Sequence, residues 1–237
     1  MKLQKETGSS QTRHGKWYED ACGTAFAMEL VGERWSLLVV RELMFGGRRF
    51  SELRKALNGI SAKVLTERLE SLEAAGAVRR VALPPPASVQ VYELTEWGKL
   101  AEPAIQELGR WAATSPRHDP TLPLSPVSFM LSLRTMLDRN RAREFEATIG
   151  FEIAGETYIA ELKGGDLPIR RTTVAGADAI LRAPAAPSLA AAFAYTSWLF
   201  PSKRRSCSTQ RSSPAPAGRP SASSSGSETS SSPASPW

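Results

Sequence analysis

The chain is poor in the residues that most enzyme chemistry needs. Its 237 residues include two histidines, His14 and His118, and two cysteines, Cys22 and Cys207. Both histidines fall in polar stretches expected to be flexible. No metal-ligand spacing, phosphate-cradling glycine loop or nucleophile elbow occurs, so neither an enzyme nor a resident metal or cofactor is expected. Two cysteines so far apart give no disulfide framework and fit a reducing compartment. No apolar run approaches the ~18 residues of a membrane span. The N-terminus, MKLQKETGSSQTRHGKW, lacks the apolar core of a signal peptide. The expectation is therefore a cytoplasmic protein without membrane insertion.

Hydrophobic residues make up 41% of the chain, enough for a packed core in one large or two small domains. The net charge of +6 misleads, because residues 201–237 hold five basic residues and a single acid, Glu228. Two net charges remain for the other 200 residues. Any face for nucleic acid must then come from local segregation of charge, not from global basicity.

The most organised stretch runs from Phe50 to Gly76, RFSELRKALNGISAKVLTERLESLEAAG with its leading arginine. Leu53 and Leu57 share a helix face, and Ser51 is a candidate N-cap. Asn58-Gly59 stops that helix, since both residues tolerate positive φ. Ser61 is a second N-cap candidate, after which Leu65, Leu69 and Leu72 form one stripe, ended by Gly76. Two short helices around a glycine turn are the pattern of a helix-turn-helix, with an ordinary helical hairpin as the alternative. Opposite the leucine stripe, Lys63, Thr66, Glu67 and Glu70 point outward with Arg68 on the flank. The N-terminal turn thus offers a cation, hydroxyls and the positive end of the helix dipole.

Around this stretch, residues 1–16 read as a mobile arm and Tyr18–Val31 as a helix broken by Gly32. Residues 33–45 read as a buried helix with Trp35, Leu38, Val39 and Leu43 on one face. After Gly76 the period drops to two: VRRVAL and VQVYELT flank Pro84-Pro85-Pro86, which cannot donate ladder hydrogen bonds and must be the loop. A hairpin placed there is a wing, and Arg79 and Arg80 on its first strand are candidates for phosphate or minor-groove contact. Residues 95–113 read as a capped helix carrying Leu100, Ile105, Leu108 and Trp111, kinked or delayed by Pro103.

Residues 17–113 resemble the HxlR-type family of bacterial transcriptional regulators. The resemblance rests on Cys22, Gly-Glu-Arg-Trp at 32–35, Arg-Phe-Ser-Glu-Leu at 49–53 and Gly-Ile-Ser-Ala-Lys-Val-Leu-Thr-Glu-Arg-Leu at 59–69. Leu-Glu-Ala-Ala-Gly at 72–76, the proline-rich wing and Tyr-Glu-Leu-Thr-Glu-Trp-Gly at 92–98 complete it. It implies a homodimer whose first and last helices form the interface, with double-stranded operator DNA as the partner. It also implies DNA contact by Ser61, Lys63, Thr66 and Arg68 on the recognition helix, by Arg79 and Arg80 on the wing, and by Arg48 and Arg49 on the approach. Phe50, Leu53, Ile60, Leu65, Leu69 and Leu72 are core on any reading. In some members of the family a cysteine near Cys22 senses oxidants or electrophiles. Glu19 and Asp20 beside Cys22 oppose the thiolate such a role needs, and a small buried interface residue is the alternative.

Residues 115–124, SPRHDPTLPL, read as a linker. A helix over 127–137, strands over 147–153, 156–163 and 167–173, a further strand at 177–181 and a Ser188-capped helix follow. This order resembles the start of a sterol-carrier-protein-2-like (SCP2-like) domain over 125–198, which implies an apolar small-molecule or lipid ligand; a small α+β domain that only supports dimerisation is the alternative. The Ser/Pro-rich tail, residues 199–237, has no periodicity and reads as disordered, leaving such a domain incomplete. A shift of reading frame near residue 195 is one source of that tail, and its SKRR cluster suits nonspecific DNA contact.

The expected fold class is α+β: a winged helix-turn-helix, then a smaller α+β domain, then a disordered tail. The expected function is sequence-specific, effector-controlled transcriptional regulation by a dimer. The alternative is a lipid or small-molecule carrier whose N-terminal module serves dimerisation.

Overall fold

The computed structural model describes Tyr18, residues 20–84 and residues 89–195. The expected arm at 1–16, the middle of the proline loop, Cys207 and the tail lie outside the described residues. Nine helices and six strands are described, in the order α1 (Gly23–Val31), α2 (Ser36–Glu42), α3 (Phe50–Ala56), α4 (Ala62–Ala74), β1 (Val78–Ala82), β2 (Gln90–Leu94), α5 (Glu96–Lys99), α6 (Glu102–Ala113), α7 (Pro126–Met136), α8 (Arg139–Ala142), β3 (Ala147–Ile153), β4 (Glu156–Leu162), β5 (Ile169–Arg171), β6 (Ala179–Ala183) and α9 (Ala186–Tyr195).

The helix-turn-helix stands as its leucine pattern requires. Leu53, Leu57, Ile60, Leu65, Leu69 and Leu72 are buried together, with Phe50 packed against them. Ser61 caps α4 by accepting from the Val64 backbone N–H at 3.2 Å. Ser51 does not cap α3: the helix starts one residue earlier, and Glu52 reaches back to accept from the Arg49 backbone N–H at 2.8 Å. The buried helix expected over 33–45 is shorter. Trp35 lies in the left-handed region (φ 81°), so α2 begins at Ser36, and Leu38 turns to solvent while Val39 and Leu43 stay inside.

Strands β1 and β2 pair antiparallel, with Val78 opposite Leu94 and Ala82 opposite Gln90. Arg48 joins this hairpin as an isolated antiparallel bridge to β2: its N–H donates to the Tyr92 carbonyl and its carbonyl accepts from the Tyr92 N–H, both at 2.8 Å. The expected helix over 95–113 divides at Leu100-Ala101, and Pro103 sits in the first turn of α6, where its missing N–H costs nothing. Thr95 ties this region down, donating to the Gly76 carbonyl at 2.7 Å and accepting from the Gly98 N–H at 3.0 Å.

The C-terminal half is a four-stranded sheet of order β5-β4-β3-β6, antiparallel except for β3 beside β6. Phe151, Ile153, Tyr158, Ala160 and Ile169 are buried with Val127, Met130 and Leu133 of α7 and Ala186 and Leu189 of α9. Leu53, Val39 and Leu43 belong to the same apolar cluster, so the core runs from the helix-turn-helix into the C-terminal sheet. The short helix α8 was not legible in the sequence. Helix α9 starts at Ala186, which puts Ser188 inside it rather than at its cap.

Gly98 has a strict requirement. A Cβ there would lie 2.1 Å from the Ala77 carbonyl oxygen. Gly98→Ala should cost about 1–3 kcal/mol by forcing α5 off the wing. Chemical denaturation checks this; an unchanged midpoint would remove the close approach from the account.

Candidate nucleic-acid interface

Helix α4 presents its outer side as the leucine stripe dictates. Lys63 is 88% exposed in its side chain and Thr66 is exposed. Ser61 is exposed too, although its hydroxyl oxygen already serves the cap. Glu67 lies 4.0 Å from the Lys63 ammonium, a contact too loose and too wet to hold the lysine. Arg68 differs: it is only 19% exposed and lies 3.5 Å from Glu33 and 3.9 Å from Glu67. It ties α4 to the turn before α2 and offers little to a ligand.

The wing arginines are exposed but engaged. Arg79 meets Glu93 across the hairpin at 2.6 Å. Arg80 meets Glu73 of α4 at 2.9 Å and lies over the Tyr92 ring at 5.5 Å. Exposed pairs of this kind are worth about 0–1 kcal/mol, so a phosphate can displace either carboxylate. Arg49 is exposed. The sequence reading passed over Arg54 and Lys55, which the structure exposes on the last turn of α3; two consecutive cations beside the Leu53–Leu57 stripe were the available signal.

Arg48 corrects the sequence expectation. Its side chain is 3% exposed, and its guanidinium is turned inward. It donates to Glu156 through both terminal nitrogens, at 3.1 and 2.5 Å, to the Tyr158 hydroxyl at 3.3 Å and to the Glu42 carbonyl at 3.0 Å. Tyr158 in turn donates to Glu156 at 2.6 Å. Removing one member of such a buried pair costs about 3–5 kcal/mol, far more than releasing Arg79 from Glu93, so Arg48 is not free for DNA. Burial disfavours the charged form of Glu156, but the hydrogen bonds from Arg48 and Tyr158, with the charges of Arg48 and Arg171, outweigh it and its pKa falls. Burial, then the Glu156 charge, pushes the Tyr158 phenol well above its ordinary value, so it remains a donor.

Glu42 extends this polar seam. It is fully buried and accepts from Arg41 at 2.8 Å and from Ser125, the N-cap of α7, at 2.7 Å. Arg171 donates to the Gly47 carbonyl. Cys22, the one described cysteine, is exposed at the N-cap of α1. Hydrogen bonds from the Thr24 and Ala25 backbone, then from the Thr24 side chain, lower its pKa. Among the described residues no group of three His, Cys, Asp or Glu side chains could hold a metal ion, and no helix is long and apolar enough to cross a membrane. A surface cleft of about 520 Å³ opens on the C-terminal sheet, lined by Thr148, Glu161, Arg170, Arg171, Thr172 and Thr173 among others.

Two short helices, a cationic exposed helix tip and an arginine-bearing hairpin define a winged helix-turn-helix module. The model of the HxlR-like helix-turn-helix family matches residues 30–119. Over 86 residues the chain is 40% identical to the uncharacterized HTH-type transcriptional regulator YvaP of Bacillus subtilis (strain 168), spanning 36% of this chain and 80% of that protein. It is likewise 40% identical over 86 residues to the HTH-type transcriptional regulator YodB of the same organism, spanning 36% of this chain and 77% of YodB. The solved reduced form of YodB is 36% identical, with a TM-score of 0.38 over 41% of this chain and 98% of that one. The chain belongs to the HxlR-like helix-turn-helix family. It is a transcriptional regulator and not an enzyme.

The Glu156 pair gives a pH prediction. Its folded pKa lies below its unfolded value, so its stabilisation is fully present above the ordinary carboxylate range and disappears as pH falls through the folded value. Wild type should exceed Glu156→Gln by roughly 1–3 kcal/mol at neutral pH, with the gap closing in acid. Denaturation curves for both proteins across pH test this. Coincident curves would mean the pair adds nothing, and parallel, offset curves that its contribution is not linked to Glu156 titration.

Proposed function

We propose that the chain acts as a homodimer on a specific operator, with α4 in the major groove and the wing on the flanking backbone. The exposed Lys63–Thr66 tip beside the dipole of α4 carries this reading. Ser61, Lys63 and Thr66 are the proposed groove residues. Arg49, Arg79 and Arg80 are proposed for phosphates, as are Arg54 and Lys55, because the first helix of such a motif crosses the backbone. Arg68 is assigned to bracing α4, and Arg48 to the interior.

The dimer reading is supported by an apolar surface that stays exposed among the described residues. Trp97, Leu100, Leu108 and Trp111 on α5–α6 are exposed, Leu100 and Trp111 by 74% and 73%, and Met28 of α1 is exposed as well. Apolar side chains exposed in such number mark an interface, and α1 and α5–α6 are the first and last helices to which the family resemblance assigns it. Two such copies set their recognition helices about one helical turn of DNA apart. Cys22 is proposed as the redox or electrophile sensor, supported by its exposure and lowered pKa. Action on DNA places the protein in the cytoplasm. The carrier alternative, with an SCP2-like C-terminal region around a lipid, has less support, because the cleft on that region is lined by threonines and charges.

A gel shift with the chain's own upstream DNA tests the reading. Binding should survive competitor DNA, and Lys63→Ala should weaken it by about 1–3 kcal/mol. Equal binding to any duplex would end the operator-specific reading. In sedimentation, Trp111→Asp should turn a dimer into a monomer; a wild-type monomer at working concentration would remove the dimer. In a Cys207→Ser background, oxidant should reduce operator binding, and Cys22→Ser should abolish that response. If Cys22→Ser responds equally, Cys22 is not the sensor.

A further inference from the structure

The segment between α2 and α3 is held from two sides by parts of the chain distant in sequence. On one side, the Arg48 backbone exchanges two hydrogen bonds with Tyr92 of β2, making Arg48 part of the wing sheet. On the other, the C-terminal half grips the same two residues: Glu156 and Tyr158 of β4 hold the Arg48 guanidinium, and Arg171 of β5 holds the Gly47 carbonyl. Ser125, at the start of α7, fastens Glu42 six residues earlier. One residue after Arg48 lies Arg49, the N-cap of α3. The wing and the first helix of the DNA-binding motif therefore share one short segment, and the C-terminal sheet sets where that segment lies.

We propose that the C-terminal sheet is a control element for DNA binding, acting through a clamp in which Glu156, Tyr158 and Arg171 fix Gly47-Arg48 and so fix the wing against α3. A helix-turn-helix of this kind needs no buried arginine to pack its leucines. The clamp therefore serves the relation between two halves rather than the core of either. Its far side is open to change: Glu156 is 25% exposed in its side chain, and Arg171 lines the solvent-facing cleft together with Ile159 and Glu161 of β4. A shift of β4 or β5 passes to Gly47-Arg48 with no intervening flexible residue. The two hydrogen bonds to Tyr92 then pass it to the wing. The coupling is reciprocal, so DNA that fixes the wing tightens the clamp.

This proposal rests on the regulator reading for its effect on DNA, but not for its mechanical part. Amide hydrogen exchange on the full chain without DNA tests the mechanical part. In Glu156→Gln, exchange at Arg48 and Tyr92 should rise by about tenfold or more while α1 is unchanged; Arg171→Gln should act in the same direction. If Glu156→Gln does not fold, Tyr158→Phe, which removes only the hydroxyl, is measured in its place. Faster exchange confined to β4, with Arg48 and Tyr92 as in wild type, overturns the clamp. Affinity for the upstream DNA, measured by anisotropy, should change by at least about fivefold in the same variants. Raised exchange with unchanged affinity overturns the control role. If wild type shifts no DNA at all, the regulator reading fails, and the exchange result still decides whether the clamp transmits motion.

Discussion

A guanidinium withdrawn from water must meet a carboxylate or the fold cannot keep it. Arg48 meets Glu156 through two nitrogens, and its remaining Nε–H goes to the Glu42 carbonyl. That pairing lets a charged side chain lie where the α2–α3 turn and the C-terminal sheet meet, and it fixes more than itself. The same residue is a rung of the wing and stands one step before α3, so the position of the DNA-binding surface depends on a partner 108 residues away. A methionine or leucine could fill the same volume at lower desolvation cost. What it could not do is specify a single register between two halves, because apolar contacts slide where a bidentate pair does not.

The apolar part of the boundary is built differently. Phe45 meets the Tyr158 ring edge-on at 6.1 Å, and the Arg134 guanidinium lies 5.0 Å over Phe45 while donating to Glu102 at 2.5 Å. Arg134 also donates to the Leu167 and Ile169 carbonyls at 3.1 and 3.3 Å. Helices α6 and α7 are thus joined to the sheet by one arginine that satisfies carbonyls left open beyond β4. The chain between them is exposed over residues 115–123, as its prolines imply, and only Leu124 at its end packs onto the core. The halves stay together through side chains, not through the linker.

The sequence displayed what is local. Leucine spacing located α3 and α4, Ser61 declared its cap, and the drop to period two after Gly76 marked the wing. Those signals work because each is set by neighbours within a few residues. It misled where a distant partner decides. Arg48 and Arg49 look alike in RRF, and only Glu156 and Tyr158 make one a buried strut and leave the other in water. Trp35 broke an apolar run that read as one helix, because a left-handed residue leaves no trace in hydropathy. Leu100, Leu108 and Trp111 share the apolar stripe of the 95–113 helix with Ile105, yet only Ile105 of the four is buried. The parallel placement of β6 beside β3 was also beyond reach, since two intervening strands and a loop must be placed before that pairing exists.

Charge on the candidate interface constrains how it can work. Helix α4 carries Lys63 and Arg68 against Glu67, Glu70 and Glu73, so the helix proposed for the groove is net acidic. Arg68 is largely withdrawn, which leaves the outward face poorer still in cations. A duplex repels such a helix unless its approach is set by something else. The N-terminal turn is the one part of α4 with favourable field, from the dipole and Lys63, so the proposed entry is tip-first. The cations able to offset repulsion lie to either side, at Arg49, Arg54 and Lys55 and at the wing arginines. In the proposed mode, phosphate contacts position the module from its flanks while the carboxylates penalise wrong approaches. In that arrangement affinity depends on the spacing between wing and α3, because cations on separate elements act together only when both reach the backbone at once. That spacing is the quantity Arg48 is placed to hold.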